Sequence, residues 1–262
     1  MRKPIVTLTT DFGTKDHFVG VMKGVITTIC PNAEVVDISH EVQPFAISEG
    51  AFLVSQAYRF FPPKTIHVAI VDPGVGSARR PILVEAAGQT FIGPDNGVLA
   101  LVYSDVPHKA REITNKKWFL DPVSHTFHGR DIFAPVAARI AKGARASSVG
   151  KPIEDHLKPT FLKPQRTSKR AWQGSVLHVD RFGNLISNFH IDEFEKVRQH
   201  PFALAAGARS LTELGQTYSG SPFGEPFVLI GSSGFLEVAV NQGSAAKVLG
   251  CVAGSPCELT VY

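Results

Sequence analysis

Asp72 and Arg79 bracket a glycine loop, Asp72-Pro73-Gly74-Val75-Gly76-Ser77-Ala78-Arg79, that follows the apolar run Ile66-His67-Val68-Ala69-Ile70-Val71. An acid therefore stands where a buried strand ends, and a base returns after a short turn. Open α/β sheets bind ligands beyond the carboxyl ends of their strands, so the two side chains are candidates for one shared site. An isolated Asp-Pro-Gly is more simply an acid capping a turn. The arrangement recurs, however. Ile5-Val6-Thr7-Leu8-Thr9-Thr10 runs into Asp11-Phe12-Gly13, another apolar stretch runs into Pro94-Asp95-Asn96-Gly97, and Phe127-His128-Gly129-Arg130-Asp131 precedes a helical pattern. Four polar clusters at element ends point to one composite pocket.

The elements that must carry these clusters follow from periodicity. Residues 17–29 place Phe18, Val21, Met22, Val25, Ile26 and Ile29 on one stripe, as in a helix packed on one side, and Pro31 ends it. Residues 34–38 read as a strand, 50–61 as a helix stopped by Pro62-Pro63, and 82–86 with 90–92 as a strand pair around Gly88. Residues 98–103 read as a short helix, and Asp131 as the N-cap of a helix over 132–142. Alternating strands and helices predict an α/β N-terminal domain, residues 1–160, with a mainly parallel sheet covered by helices. The proline- and charge-rich stretch 161–171 reads as a linker. Beyond it, strand-like segments at 174–179, 185–189, 227–230, 235–240 and 258–261 predict a smaller antiparallel β C-terminal domain, residues 172–262.

Composition narrows the function classes. The chain has 262 residues, 44% of them hydrophobic, and a net charge of +4. That is ordinary globular composition, with too mild a basic excess to argue for a nucleic-acid partner. Cys30, Cys251 and Cys257 lack the paired spacing of a zinc site and fit free thiols in a reducing compartment. No apolar run approaches about 20 residues, and Met1-Arg2-Lys3-Pro4 leads straight into a strand, so a cytoplasmic location without membrane contact is expected. No Gly-x-Gly-x-x-Gly follows a strand and no P-loop pattern occurs, which disfavours dinucleotide and nucleoside triphosphate sites of those kinds.

In chain order, Thr9-Thr10-Asp11-Phe12-Gly13, Asp72-Pro73-Gly74-Val75-Gly76 with Arg79, Pro94-Asp95-Asn96-Gly97, Phe127-His128-Gly129-Arg130-Asp131, Asp180-Arg181-Phe182-Gly183-Asn184 and Ser232-Ser233-Gly234 resemble the motifs of the S-adenosyl-L-methionine hydroxide adenosyltransferases. That family hydrolyses S-adenosylmethionine to adenosine and L-methionine and is related to the halide-using fluorinase and chlorinase. The resemblance covers nearly the whole chain. It implies an N-terminal α/β domain, a C-terminal β domain and a homotrimer with sites at subunit interfaces. It also implies a small-molecule substrate with no cofactor and no metal. Asp11 falls on the acid that holds both ribose hydroxyls, a role that suits two acceptor oxygens. Asp16 falls near the methionine end, Asp180 and Ser232 on the amino-acid part, Asn184 on adenine, and Phe45 and Tyr218 on aromatic walls around the adenosine. The water-handling residues fall on Asp72, Arg79 and His128.

The reaction so implied is an in-line displacement at the 5′ carbon of the ribose. The sulfonium leaves as a neutral thioether, so no general acid is needed, and water must be oriented and relieved of a proton. Asp72 can accept a hydrogen bond from water, but an arginine beside it makes it a weaker base. Imidazole, with an intrinsic pKa of about 6.5, suits His128 to taking a proton near neutral pH. Sequence leaves both open. Three positions depart from fluorinase: Asp72 replaces a tyrosine, Ser233 an arginine near the methionine carboxylate, and Phe45 a tryptophan. A carboxylate at the nucleophile position repels halide, which disfavours the competing reading of a halogenase. An intact Asp72, Arg79 and His128 set argues against the other, a non-catalytic adenosine or S-adenosylmethionine sensor.

Overall fold

The computed structural model describes residues 3–104, 106–159 and 163–262. The chain divides into two compact units, Met1–Pro159 and Thr160–Tyr262.

The first unit contains strands β1 (Ile5–Thr10), β2 (Glu34–Ser39), β3 (Ile66–Ile70), β4 (Pro81–Ala86), β5 (Gln89–Pro94), β6 (His108–Glu112) and β7 (Pro152–Ile153). They form one sheet in the order β2-β1-β3-β5-β4-β6-β7. The β2, β1, β3 and β5 strands run parallel, while β5–β4, β4–β6 and β6–β7 pair antiparallel. The sheet is therefore mixed rather than mainly parallel. The reason is the two-residue connection from β4 to β5. Ala87 (φ 51°) and Gly88 (φ 73°) both sit in the left-handed region, as a tight hairpin turn requires, and a hairpin reverses direction.

Helices α1 (Phe18–Ile29), α2 (Ile47–Ala57), α3 (Ala100–Tyr103) and α4 (Ala134–Ala141) cover the sheet. Val19, Met22 and Ile26 of α1 fall at helical spacing and pack with Val6 and Leu8 of β1 and with Val136 and Ala137 of α4. Each large apolar side chain buried in this way contributes about 1.5–3 kcal/mol. Thr7 alternates to the other face of β1, where its hydroxyl meets His67 Nδ1 at 2.7 Å and His67 Nε2 meets Gln89 Oε1 at 2.9 Å. The predicted helix over 50–61 starts earlier and ends as α2 at Ala57, followed by a 3-10 turn at Tyr58–Phe60. Gly50 lets α2 close on the sheet: an added Cβ would stand 2.8 Å from Val71, the residue before Asp72. Asp131 does not cap the helix expected after it. It lies inside a π-helical turn, Gly129–Phe133, that runs into α4.

The second unit contains β8 (Gln165–Arg166), β9 (Ala171–Val179), β10 (Leu185–His190), β11 (Phe202–Ala206), β12 (Arg209–Leu211), β13 (Leu214–Gly215), β14 (Pro226–Ile230), β15 (Phe235–Val240), α5 (Ala245–Leu249) and β16 (Pro256–Val261). Their order is β12-β11-β16-β9-β10-β15-β14-β13, with β8 on β9. Every pairing is antiparallel except β13 with β14. Phe189, Leu204, Val228, Leu236 and Leu259 are fully buried at its centre. Of the expected linker 161–171, Phe161 and Leu162 lie outside the described residues. Gln165 and Arg166 pair with Gln173 and Trp172 and belong to the second unit. Cys30, Cys251 and Cys257 are free and buried. Among the described residues no helix is long and apolar enough to cross a membrane.

Candidate active site

Parallel pairing of β1 with β3 sets Thr10 beside Ile70. Asp11 and Asp72 thus emerge at the same carboxyl end of the sheet. Burial holds the Asp11 carboxyl above the usual carboxylate range, with the Asp72 charge adding to the effect. Asp11 Oδ2 accepts from the main-chain N–H of Phe45 at 3.0 Å. Phe45 itself is 70% exposed and held at φ 70°, in the left-handed region.

Asp72, Arg79 and His128 form one connected group. Arg79 Nε donates to Asp72 Oδ1 at 3.0 Å, and Nη2 donates to Asp72 Oδ2 at 2.5 Å. Nη2 also lies 2.7 Å from His128 Nδ1. The side chains of Arg79 and Asp72 are only 9% and 4% exposed, and the guanidinium lies over the Phe133 ring, 5.4 Å from its centroid. Arginine is always protonated and accepts nothing, so His128 Nδ1 must be the acceptor. The imidazole is then neutral, with its proton on Nε2. Burial, and next the Arg79 charge, hold His128 below the ordinary histidine range. Its one lone pair is engaged, so His128 faces the cleft as a donor. Of the two proton acceptors that the sequence leaves open, Asp72 and His128, this hydrogen bond points to Asp72.

Two local features build the group. Gly76 has φ 77°, and an added Cβ would stand 2.2 Å from the His125 carbonyl oxygen, so only glycine lets the loop press on the segment before His128. That segment is fixed by Asp131, fully buried, which accepts from Ser124 N at 2.8 Å and from Arg130 Nε at 2.6 Å.

A cleft of about 280 Å³ opens at this end, lined by Asp11, Phe45, Asp72 and His128 with Phe12, Phe18, Val75 and Phe127 among its apolar walls. Arg79 stands behind Asp72 rather than on the lining. Asp16 is exposed in the bend before α1 and is not among the lining residues. A larger cleft, about 800 Å³, lies at the opposite end of the sheet against Lys3, Lys64, Glu85 and Lys109. It contains none of the expected site residues and sits at the amino ends of the parallel strands, where such sheets do not place their ligand sites.

In the second unit a cleft of about 540 Å³ is lined by Asp180, Phe182, Asn184, Tyr218, Val240, Gln242 and Gly243. Asp180 organises it. Its Oδ1 accepts from Phe182 N at 2.9 Å and Asn184 N at 2.8 Å, and its Oδ2 from Asn184 Nδ2 at 2.8 Å. The side-chain oxygen of Asn184, Oδ1, takes no part in these bonds and can accept from a ligand. Tyr218 donates to Glu237 Oε2 at 3.2 Å. Glu237 is 6% exposed, and burial raises its carboxyl above the usual range. Sequence reasoning missed this acid; its signal was a lone charge within Phe235-Leu236-Glu237-Val238. Ser232 is exposed in the turn between β14 and β15 and is not among the lining residues. Among the described residues no group of three or more His, Cys, Asp or Glu is placed to hold a metal ion.

Residues 6–150 match the SAM hydroxide adenosyltransferase N-terminal domain and residues 174–258 the C-terminal domain of the same name. An (R)-S-adenosyl-L-methionine hydrolase of Salinispora tropica is 36% identical, with 98% of each chain covered. A fluorinase of an Actinoplanes species is more distant, 28% identical over 98% of this chain and 97% of its own. The crystal structure of an uncharacterized conserved protein from Thermotoga maritima matches with a TM-score of 0.87 and 38% identity, covering 98% of this chain and 99% of that one. With both domains matched in order and relatives at this identity over nearly full length, the chain belongs to the SAM hydroxide adenosyltransferase family.

Proposed function

We propose that this protein is an S-adenosyl-L-methionine hydrolase that forms adenosine and L-methionine. The observation that carries the reading is the buried Asp72–Arg79–His128 group at the carboxyl end of β3, in a chain whose hydrolase relatives are more similar to it than its fluorinase relatives.

Water attacks the 5′ carbon of the ribose as the carbon–sulfur bond breaks. The bonding pair goes to sulfur, the sulfonium becomes the neutral thioether of methionine, and the attacking oxygen gives up one proton. His128 Nε2–H donates to the water and the Asp72 carboxylate accepts from it, which fixes a lone pair along the line of attack. As the carbon–oxygen bond forms, the proton passes to Asp72 and on to solvent, because the His128 lone pair is already taken by Arg79. Orientation of this kind supplies up to roughly 7–11 kcal/mol of a barrier.

The remaining roles rest on the resemblance and on the two clefts. Asp11 holds the ribose diol from a carboxylate whose Oδ2 the Phe45 main chain fixes. Phe45 and Tyr218 wall the adenosine, Asn184 contacts adenine, and Asp180 takes the α-ammonium. Asp16 and Ser232 are assigned to the methionine end by the resemblance alone. So are the homotrimer with sites at subunit interfaces, tested by light scattering, and a cytoplasmic location, which suits three free cysteines. Displacement of a sulfonium by water calls for neither metal nor cofactor.

The test is incubation with S-adenosylmethionine in oxygen-labelled water, with and without millimolar halide. Label on the 5′ oxygen of adenosine, unlabelled methionine and no halogenated nucleoside are expected. A 5′-halo product makes the protein a halogenase, binding without turnover makes it a sensor, and release of adenine shows cleavage of the glycosidic bond instead.

A further inference from the structure

Arg79 sits on a loop with two glycines, a backbone with much freedom to lose, and three fastenings hold that loop. At its entry, Asn96 Nδ2 donates to the Val71 carbonyl at 2.8 Å. In its middle, Gly76 lies against the main chain of His125. At its exit stands Arg80, bound twice to one partner. The Arg80 carbonyl accepts from Asp95 N at 2.8 Å. Its guanidinium holds Asp95 Oδ2, from Nε at 3.1 Å and Nη2 at 2.7 Å. The Asp95 side chain is 5% exposed, so this half of the fastening is shielded from solvent.

The same two residues clasp the segment 155–157, the end of the first unit. Arg80 Nη1 reaches Asp155 Oδ1 at 2.9 Å and Nη2 the Asp155 carbonyl at 3.0 Å. Asp95 Oδ1 accepts from Leu157 N at 2.8 Å, Tyr103 Oη donates to the Leu157 carbonyl, and His156 Nε2 meets His108 Nε2 at 3.0 Å. The planar Arg80 guanidinium reaches Asp95 Oδ2, Asp155 Oδ1 and the Asp155 carbonyl at once, which an ammonium cannot do.

We propose that Arg80 is a positioning residue for the reaction: by fixing the loop exit on Asp95 and the 155–157 segment, it sets the Arg79 guanidinium against Asp72 and His128. This rests on the reading of those three residues as the water site. Arg79 meets its two partners from different elements, Asp72 at the loop entry and His128 at the π-helical turn, so the position of the exit decides whether both bonds form together.

The test uses the full chain with Arg80→Gln and Arg80→Lys. Four quantities are read: kcat, KM, melting temperature, and the His128 titration by imidazole NMR. The charged or titratable groups acting on His128 are Arg79, Asp72, Asp131 and His125. In Arg80→Gln, kcat should fall about tenfold, short of the roughly hundredfold that a 1 Å misplacement costs. KM should stay within about twofold. The His128 pKa should rise above its wild-type value as Arg79 withdraws, and Arg80→Lys should recover part of both changes. Wild-type kcat with an unmoved His128 titration overturns the proposal. So does a lower melting temperature with His128 unmoved, since Arg80 would then be structural only. If the wild-type chain fails to turn over S-adenosylmethionine, the functional reading falls, and the His128 titration still decides the role of Arg80.

Discussion

Replacing Arg79 with methionine keeps an apolar stem over Phe133 and deletes the guanidinium that joins Asp72 to His128. Asp72 then loses both donors while its side chain stays 4% exposed. Breaking a buried pair by removing one partner costs about 3–5 kcal/mol. At about 2–4 °C per kcal/mol for domains of this size, the melting temperature should fall by roughly 10 °C. The second consequence is local. In the wild-type protein Arg79 helps to hold His128 below the ordinary histidine range, while Asp72 and Asp131 pull the other way. Without Arg79, burial still lowers His128 but the guanidinium no longer adds to it, so His128 should titrate at higher pH than in the wild type. It also regains a free lone pair and loses its fixed tautomer. Turnover should fall by about 10²–10³, the scale of losing one preorganised donor. The assays are calorimetric melting, imidazole NMR against pH, and product chromatography, with Arg79→Lys as the charged variant that keeps the fold if methionine does not. A folded variant in which His128 titrates as before would refute the Arg79–His128 coupling and the donor role assigned to His128.

Asp11→Ala should weaken adenosine binding by about 1–3 kcal/mol, the cost of unpaired hydroxyls in a closed site, and barely change binding of 2′,3′-dideoxyadenosine. Equal losses in calorimetry would mean that Asp11 serves only to hold Phe45. His67 is pushed down to about 4 by burial, below its unfolded value of 6.5, so the unfolded chain binds the extra proton between those pH values. The stability that neutral His67 provides is thus complete above about pH 6.5 and falls by roughly 3 kcal/mol as the pH drops to 4. Urea unfolding of the wild type and His67→Gln at pH 7 and pH 4.5 should show a smaller acid loss in the variant, and parallel losses would remove His67 from the account.

What the sequence reveals is set by how locally each feature is encoded. Asp11 and Asp72 were legible because each ends an apolar strand, and adjacent parallel strands deliver both acids to one end of the sheet. The α1 stripe was legible for the same reason: its periodicity is its own. The strand pair around Gly88 was legible, but the mixed sheet was harder, because β6, His108-Lys109-Ala110-Arg111-Glu112, is too polar to read as a strand and extends the antiparallel side. Asp131 read as a cap because the local pattern fits one, yet its carboxylate is claimed by Ser124 and Arg130. The clasp of Arg80 on Asp95 and Asp155 has no local signature at all, since an ion pair across distant loops exists only once the hairpin and the 155–157 segment have been placed. The same limit applies to the chemistry. Imidazole taken alone is a base near neutral pH, and sequence could say no more of His128. Whether it accepts or donates depends on which neighbour occupies Nδ1, and that neighbour is an arginine with only protons to offer. Residue types at strand ends therefore point to the site, but the hydrogen-bond partner of one nitrogen decides whether His128 has a lone pair with which to take a proton.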